Sequence, residues 1–296
     1  MTDRYAVVGN PVTHSLSPAI HAEFARQTGQ DIAYTRLHAE AGEFVAVVRQ
    51  FQSSGGKGLN ITVPFKREAC KLATSVSERA QRAGAVNTLV FDGDDIAGDN
   101  TDGVGLLRDL QTNLGFEIGG RRVLILGAGG AARGILAPLI EAAPARIAIA
   151  NRTFETAITL CREFSVELAD CGGASNDPKR PELTAHPLQT LPEGFDLVIN
   201  ATSSSLAGAD LGLIDSVFAP AALAYDLMYG KGLTPFLGFA QHHGARVADG
   251  LGMLVEQAAE SFFIWRGMRP ETQSVIAAIG GRARIGAHVD ETRGRN

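Results

Sequence analysis

Apolar residues along this chain follow two rhythms, and the alternation between them lays out the fold. Short unbroken apolar runs, the mark of strands, lie at residues 5–8, 32–38, 58–63, 123–126, 147–150, 183–186, 197–200, 223–227 and 246–248. Between them apolar positions recur at helical spacing. Residues 18–28 place Ile20, Phe24 and Ala25 on one face, with Gly29 as the stop. Residues 43–51 make a stripe of Phe44, Val47, Val48 and Phe51, and 67–73 reads as a short helix. Runs at 86–91 and 96–98 flank the turn Asp92-Gly-Asp-Asp95, which predicts a hairpin. The first hundred residues therefore mix parallel and antiparallel pieces.

From Asp102 onward the alternation becomes regular: a helix over 103–114, then strand and helix in turn through Val247. Runs as short and continuous as residues 123–126 suit a parallel sheet covered on both faces. A final amphipathic helix over 253–265, with Leu254, Ala258, Phe262 and Trp265 on one stripe, falls outside that pattern and is expected to return to the first half. Residues 170–181 are poor in apolar side chains and read as an exposed loop; the charged tail after Gly280 reads as frayed.

One turn carries specific chemistry. The strand ending at Leu126 leads into Gly127-Ala-Gly129-Gly130-Ala131-Ala132 at the head of a helix. In a dinucleotide-binding turn the first glycine permits the tight bend, the second lets backbone approach a pyrophosphate, and a small third residue allows helix–strand packing. The helix N-terminus adds unpaired N–H groups and positive dipole charge. The next strand ends in Asn151-Arg152-Thr153, with no carboxylate before Glu155. An acidic residue there would accept the ribose hydroxyls of NAD, whereas arginine accommodates a 2′-phosphate. NADP is the expected cofactor.

Composition narrows the class. At 296 residues two domains are expected, and 45% hydrophobic with 20% charged residues is ordinary for a globular protein. A net charge of −5 argues against a nucleic-acid surface. Cys70, Cys161 and Cys171 lack metal-ligand spacing, and no metal is expected. With neither a signal segment nor a long apolar run, the chain reads as a soluble, cytoplasmic protein without membrane partners.

Four further polar segments sit at strand ends. In the first, Ser15 and Ser17 offer two hydroxyls one residue apart, although Ser17 before Pro18 also suits an N-cap. In the second, strand alternation puts Asn60 and Thr62 on one face, followed by Pro64 and Lys66. The third contains Asn87. The fourth leads to Asp102, which is either a helix N-cap or the partner of Lys66. A carboxylate beside the lysine would hold its ammonium in place, and such a lysine can exchange a proton with a substrate hydroxyl while a nicotinamide exchanges the hydride. Spacing alone leaves both pairs of alternatives open.

Taken together, GNPVTHSLSP (9–18), NITVPFK (60–66), GAVNTL (84–89), GDNTDG (98–103), GAGGAARG (127–134), NRT (151–153), NATSSS (200–205), YDLMYGKGLTPFL (225–237) and DGLGMLVEQAA (249–259) resemble the shikimate dehydrogenase family in its own order. The resemblance implies an NADP-dependent enzyme that reversibly reduces 3-dehydroshikimate to shikimate in aromatic amino-acid biosynthesis. It implies Lys66 and Asp102 as the catalytic pair. Ser15, Ser17, Asn60, Thr62, Asn87, Tyr229 and Gln257 would bind substrate. Gly127, Gly129, Gly130, Ala131, Asn151, Arg152, Thr153, Gly250 and Met253 would bind NADP. It further implies an α/β architecture: a substrate-binding domain of residues 1–102 with 251–280, a Rossmann domain of 103–250, and the active site in the cleft between them. A monomer or homodimer is expected. The alternatives are a quinate or dual-specificity, NAD-linked relative, which Ser17 in place of a bulkier threonine disfavours, and a non-catalytic NADP-binding protein, which need not retain both Lys66 and Asp102.

Overall fold

The computed structural model describes residues 2–170, 180–202, 211–230 and 232–280. Most of the loop expected over 170–181, and the tail past Gly280, lie outside them. The chain divides into two units, one of Met1–Arg108 with Leu254–Ile279, the other containing Asp109–Met253.

The first unit opens with β1 (Asp3–Gly9), α1 (Ser17–Thr28), β2 (Ile32–His38), α2 (Phe44–Ser53), β3 (Gly56–Ile61) and α3 (Lys66–Leu72). It continues with β4 (Ser75–Val76), α4 (Glu78–Ala83), β5 (Thr88–Asp92), β6 (Asp95–Asp99) and α5 (Asp102–Arg108). These strands form a mixed sheet in the order β2-β1-β3-β5-β6-β4. Strands β1, β2 and β3 run parallel, β5 is antiparallel to β3 and to β6, and the hairpin falls where the sequence places it. Strand alternation sends Ala6, Val8, Leu59 and Ile61 into a core closed by Phe44, Val48, Phe65 and Ala80.

Two elements were not visible in the sequence pattern. Strand β4 is two residues long, and α4 (ERAQRA) has almost no apolar side chains. Its ends carry the signal instead: Ser77 accepts a hydrogen bond from the Ala80 N–H, and Gly84 closes the helix at φ 57°. The expected helix over 103–114 is also divided, with a π-helical turn over Asp109–Asn113 following α5.

The second unit comprises that turn, β7 (Arg122–Leu126), α6 (Gly130–Glu141), β8 (Arg146–Asn151), α7 (Phe154–Asp170), β9 (Glu182–Pro187), β10 (Phe195–Asn200), β11 (Phe218–Asp226), α8 (Pro235–His242) and β12 (Arg246–Asp249). Its strands are all parallel in the order β9-β8-β7-β10-β11-β12. This is the doubly wound Rossmann order, which reverses between β7 and β10; ligands bind at the carboxyl ends of strands at such a switch point. Leu124, Leu126, Ala148, Ala150, Val198 and Ala224 are fully buried, as strands packed on both faces require.

Helix α9 (Leu251–Arg266) crosses from the second unit into the first between Met253 and Leu254. In the first unit its Trp265 stacks on Tyr5 at 4.5 Å between ring centroids and donates from Nε1 to the Leu89 carbonyl at 3.0 Å. Gly58 is required beneath it, because a Cβ there would lie 2.5 Å from Trp265 Nε1. A helical segment over 273–280 follows. No described helix is long and apolar enough to cross a membrane.

Candidate active site

Topology gathers the polar segments of the first unit at one sheet edge. Because β5 is antiparallel to both β3 and β6, Asn60 pairs with Thr88 and Thr88 with Asp99. The carboxyl ends of β3 and β6 therefore meet the amino end of β5; Asn87 directly precedes β5, and Lys66 and Asp102 lie a few residues beyond β3 and β6.

Lys66 opens α3 and Asp102 opens α5, and their side chains meet, Nζ to Oδ2, at 2.5 Å. The lysine side chain is 23% exposed and the aspartate 9%. The lysine thus stays partly exposed while its partner is nearly sealed. Asn87 donates from Nδ2 to the other Asp102 oxygen at 2.9 Å. Both carboxylate oxygens are therefore held, and charge-assisted bonds of this kind are the stronger class. Asp102 does not serve as an N-cap; its own N–H donates to the Asn100 side-chain oxygen at 3.1 Å. The carboxylate is left for Lys66.

Gln257, from α9, receives a longer bond from Asn87 Nδ2 at 3.3 Å and is half-buried. Ser15 and Ser17 face each other, Oγ to Oγ, at 3.2 Å. Ser17 is the first residue of α1, and no side chain caps that helix, so the N-cap alternative for Ser17 fails. Its hydroxyl is taken up by its neighbour and not by the helix end. Strand β3 stops at Ile61, and Thr62 just past its end still donates its N–H to the Val8 carbonyl of β1 at 2.9 Å. Asn60 is 6% exposed and fully engaged within the protein: its amide donates to the Asn87 carbonyl, Thr88 and Ser261, and its oxygen accepts from Tyr34.

Thr88, Thr101 and Ser261, all fully buried, were missed in the sequence reading. Each hydrogen-bonds within this cluster. Ser261 did carry a signal, since it lies four residues after Gln257 and so on the same helical face.

The second unit holds the remaining candidates. Gly127 sits at φ 105°, where side chains are strained, and a Cβ would lie 3.1 Å from the Ala201 carbonyl oxygen. A Cβ on Gly129 or Gly130 would meet nothing within 4 Å. No side chain caps α6, so its N-terminal N–H groups face an open space bounded by two glycines. That arrangement fits a dinucleotide pyrophosphate. Ala131 is exposed beside it, and Ala132 is fully buried against the sheet.

At the end of β8, Arg152 is exposed and Asn151 donates to the Thr153 carbonyl at 2.9 Å. Residues 151–153 carry no carboxylate, Glu155 being the next one along the chain, which fits a phosphate-bearing ribose. Gly250 passes so close to the β11 exit that a Cβ would lie 2.3 Å from the Leu227 carbonyl oxygen. Met253 and Tyr229 are half-buried, and burial pushes the Tyr229 hydroxyl up, keeping it a neutral donor.

Comparison with known proteins covers both units. A model described as the shikimate dehydrogenase substrate binding domain matches residues 7–89. One described as shikimate / quinate 5-dehydrogenase matches 110–209, and a shikimate 5′-dehydrogenase C-terminal domain matches 250–279. The chain is 55% identical over 280 residues to a protein of Dechloromonas aromatica named shikimate dehydrogenase (NADP(+)), covering 94% of this chain and 98% of that one. Among solved structures, an Ael1 enzyme from Pseudomonas putida superposes with a TM-score of 0.85 at 48% identity, covering 94% and 98% of the two chains. Shikimate 5-dehydrogenase from Thermus thermophilus, solved with NADP(H) and shikimate, superposes at 0.81 with 32% identity over 95% and 100%.

Proposed function

The chain belongs to the shikimate dehydrogenase family, and from that premise we propose that Lys66, held by Asp102, is the acid–base group of its reaction. That reaction is the reversible NADPH-dependent reduction of 3-dehydroshikimate to shikimate, in the pathway to the aromatic amino acids. The observation that carries the assignment is the 2.5 Å contact between a partly exposed lysine and a nearly sealed carboxylate.

NADPH, when bound, supplies the hydride to the carbonyl carbon. Lys66 then gives its proton to the carbonyl oxygen as that oxygen gains charge, and takes it back in the oxidative direction. Asp102 keeps the ammonium aimed and offsets its charge, with Asn87 holding the second carboxylate oxygen. Ser15 and Ser17, with Thr62, Asn87, Gln257 and Tyr229, supply hydroxyl and amide groups to the ring hydroxyls and carboxylate of the substrate. Asn60 acts from behind, since its hydrogen-bonding capacity is spent on protein partners.

The first unit is assigned to the substrate and the second to NADP. Gly127, Gly129, Gly130 and Ala131 would form the pyrophosphate cradle, with Asn151, Arg152 and Thr153 around the adenosine phosphate and Gly250 and Met253 toward the nicotinamide. The enzyme is assigned to the cytoplasm, as a monomer or homodimer with small-molecule partners alone.

Replacing Lys66 with Ala should lower kcat about 10²–10⁴-fold, the range of a positioned acid–base group, while leaving NADP affinity nearly intact. An unchanged kcat would remove Lys66 from the chemistry. A parallel assay with quinate and NAD completes the test: a kcat/KM for that pair above the value for shikimate and NADP would overturn the substrate assignment.

A further inference from the structure

Behind Asp102 runs a buried chain of polar groups. Tyr34 donates from its hydroxyl to Asn60 Oδ1 at 2.7 Å, and Asn60 Nδ2 donates to Ser261 Oγ at 3.0 Å. Ser261 and Thr88 share a hydroxyl–hydroxyl bond of 2.8 Å. Thr88 donates to Asn87 Oδ1 at 2.9 Å, and Asn87 Nδ2 donates to Asp102 Oδ1 at 2.9 Å. Ser261 and Thr88 are fully buried and Asn60 and Asn87 nearly so, so water cannot substitute for any of these partners.

The orientation of the two amides in this chain is forced by chemistry. The Thr101 backbone N–H, 2.8 Å from Asn87 Oδ1, can only donate, so it demands the oxygen of that amide. The ionised Asp102 carboxylate can only accept, so it demands the nitrogen. At Asn60 the same logic holds, because the Asn87 carbonyl accepts from its nitrogen at 3.2 Å. The single Ser261 proton lies within reach of two acceptors, the Gln257 carbonyl at 3.1 Å and Thr88 at 2.8 Å, while Thr88 donates to Asn87 Oδ1. The last two bonds both point toward the carboxylate, Thr88 to Asn87 and Asn87 to Asp102, and successive polarisation strengthens each one.

Resting on the reading of Lys66 and Asp102 above, we propose that Thr88 and Ser261 are positioning residues for this acid–base pair: they lock the Asn87 amide so that its nitrogen holds Asp102 in line with Lys66. Neither reaches substrate. Thr88 comes from the sheet and Ser261 from α9, so the lock ties the C-terminal helix to the reactive carboxylate.

The test is Thr88→Val, nearly equal in shape but without the hydroxyl, assayed with shikimate and NADP. Loss of one buried donor to Asn87 should lower kcat about tenfold. The effect should fall on kcat, with KM for shikimate and for NADP unchanged within about twofold, and Thr88→Ser, which keeps the hydroxyl, should restore kcat. A folded Thr88→Val enzyme with the parental kcat, or a Thr88→Ser enzyme as impaired as Thr88→Val, would overturn the proposal. Should Thr88→Val fail to fold, Ser261→Ala decides: a fall in kcat with both KM values unchanged supports the lock, and parental values reject it. Lys66→Ala in the same series separates the two levels. Full activity there defeats the underlying reading, whereas a crippled Lys66→Ala beside an unaffected Thr88→Val defeats only the positioning role.

Discussion

Under the proposed function, Arg152 is the side chain on which the choice between two cofactors turns. Its guanidinium is exposed at the end of β8, and the two residues beside it, Asn151 and Thr153, are uncharged. A phosphate would gain charge-assisted hydrogen bonds there, while a ribose hydroxyl would find no carboxylate to accept from it. Replacing Arg152 with Ala should raise KM for NADP about 10–100-fold, the equivalent of losing hydrogen bonds to a charged group, and change KM for NAD little. Equal losses for both would refute the assignment, as read from initial rates with each cofactor. The position of Arg152 was legible in the sequence because a place just after a strand is a local property. The role of Asp102 was not, because N-cap and ion-pair roles look alike locally. The 2.5 Å contact to Lys66, 36 positions away in the chain, separates them.

The glycine turn between β7 and α6 shows how one element divides its work among similar residues. Gly127 is demanded by the fold, through its φ of 105° and the Ala201 carbonyl 3.1 Å from any Cβ. Gly129 has φ −86° and nothing near its missing Cβ, so the fold does not require it. Gly127→Ala should therefore destabilise the apoenzyme by about 1–3 kcal/mol, the usual cost of a residue held in a disfavoured backbone region. Gly129→Ala should leave apoenzyme stability within about 0.5 kcal/mol while weakening NADP binding, because the added methyl occupies space a pyrophosphate needs. Urea melts and cofactor titrations of the two variants would check this, and equal apoenzyme stability in both would contradict it. Helical and strand periodicity located nearly every element of this kind. It failed where an element is too short or too polar to show a period, as in β4 and α4, whose evidence lay in the caps Ser77 and Gly84.

Across the whole molecule, acid sensitivity should be set first by one buried ring. His21 in α1 has no exposed surface and stacks on Tyr34 at 4.2 Å, with Phe24, Phe262 and Trp265 around it. Burial pushes its pKa down to about 3 from 6.5. The unfolded chain therefore binds a proton at His21 that the folded chain refuses. Stability is fully present above pH 6.5 and falls by about 1.4 kcal/mol per pH unit as pH drops toward 3. By pH 5 the loss should reach about 2 kcal/mol. His21→Phe should flatten the stability profile between pH 6.5 and 5, measured by urea unfolding; an unchanged slope would exclude His21 as its source. Below that window carboxylates join in. Burial raises the Asp99 and Glu260 carboxyls, but hydrogen bonds and charge from Arg79 and Arg108 outweigh it and hold both below their usual range. Their stabilisation is present at neutral pH and is lost as the pH falls through those lowered values.

Local pattern was enough for the parallel sheet, the glycine turn and the cofactor, because periodicity, backbone freedom at glycine and the charge at a strand end are properties of neighbouring residues. The quoted segments were also enough for the family, since they occur in order along nearly the whole chain. What had to await folding was every relation between distant residues. The return of α9 to the first unit, the meeting of Lys66 with Asp102, and the burial of Thr88, Thr101 and Ser261 around Asn87 depend on strand order and register. A hydroxyl or a carboxylate carries no mark in the linear chain of which distant partner will satisfy it. Only the packing of the sheet edge makes that selection, by excluding water and leaving each polar group one set of neighbours.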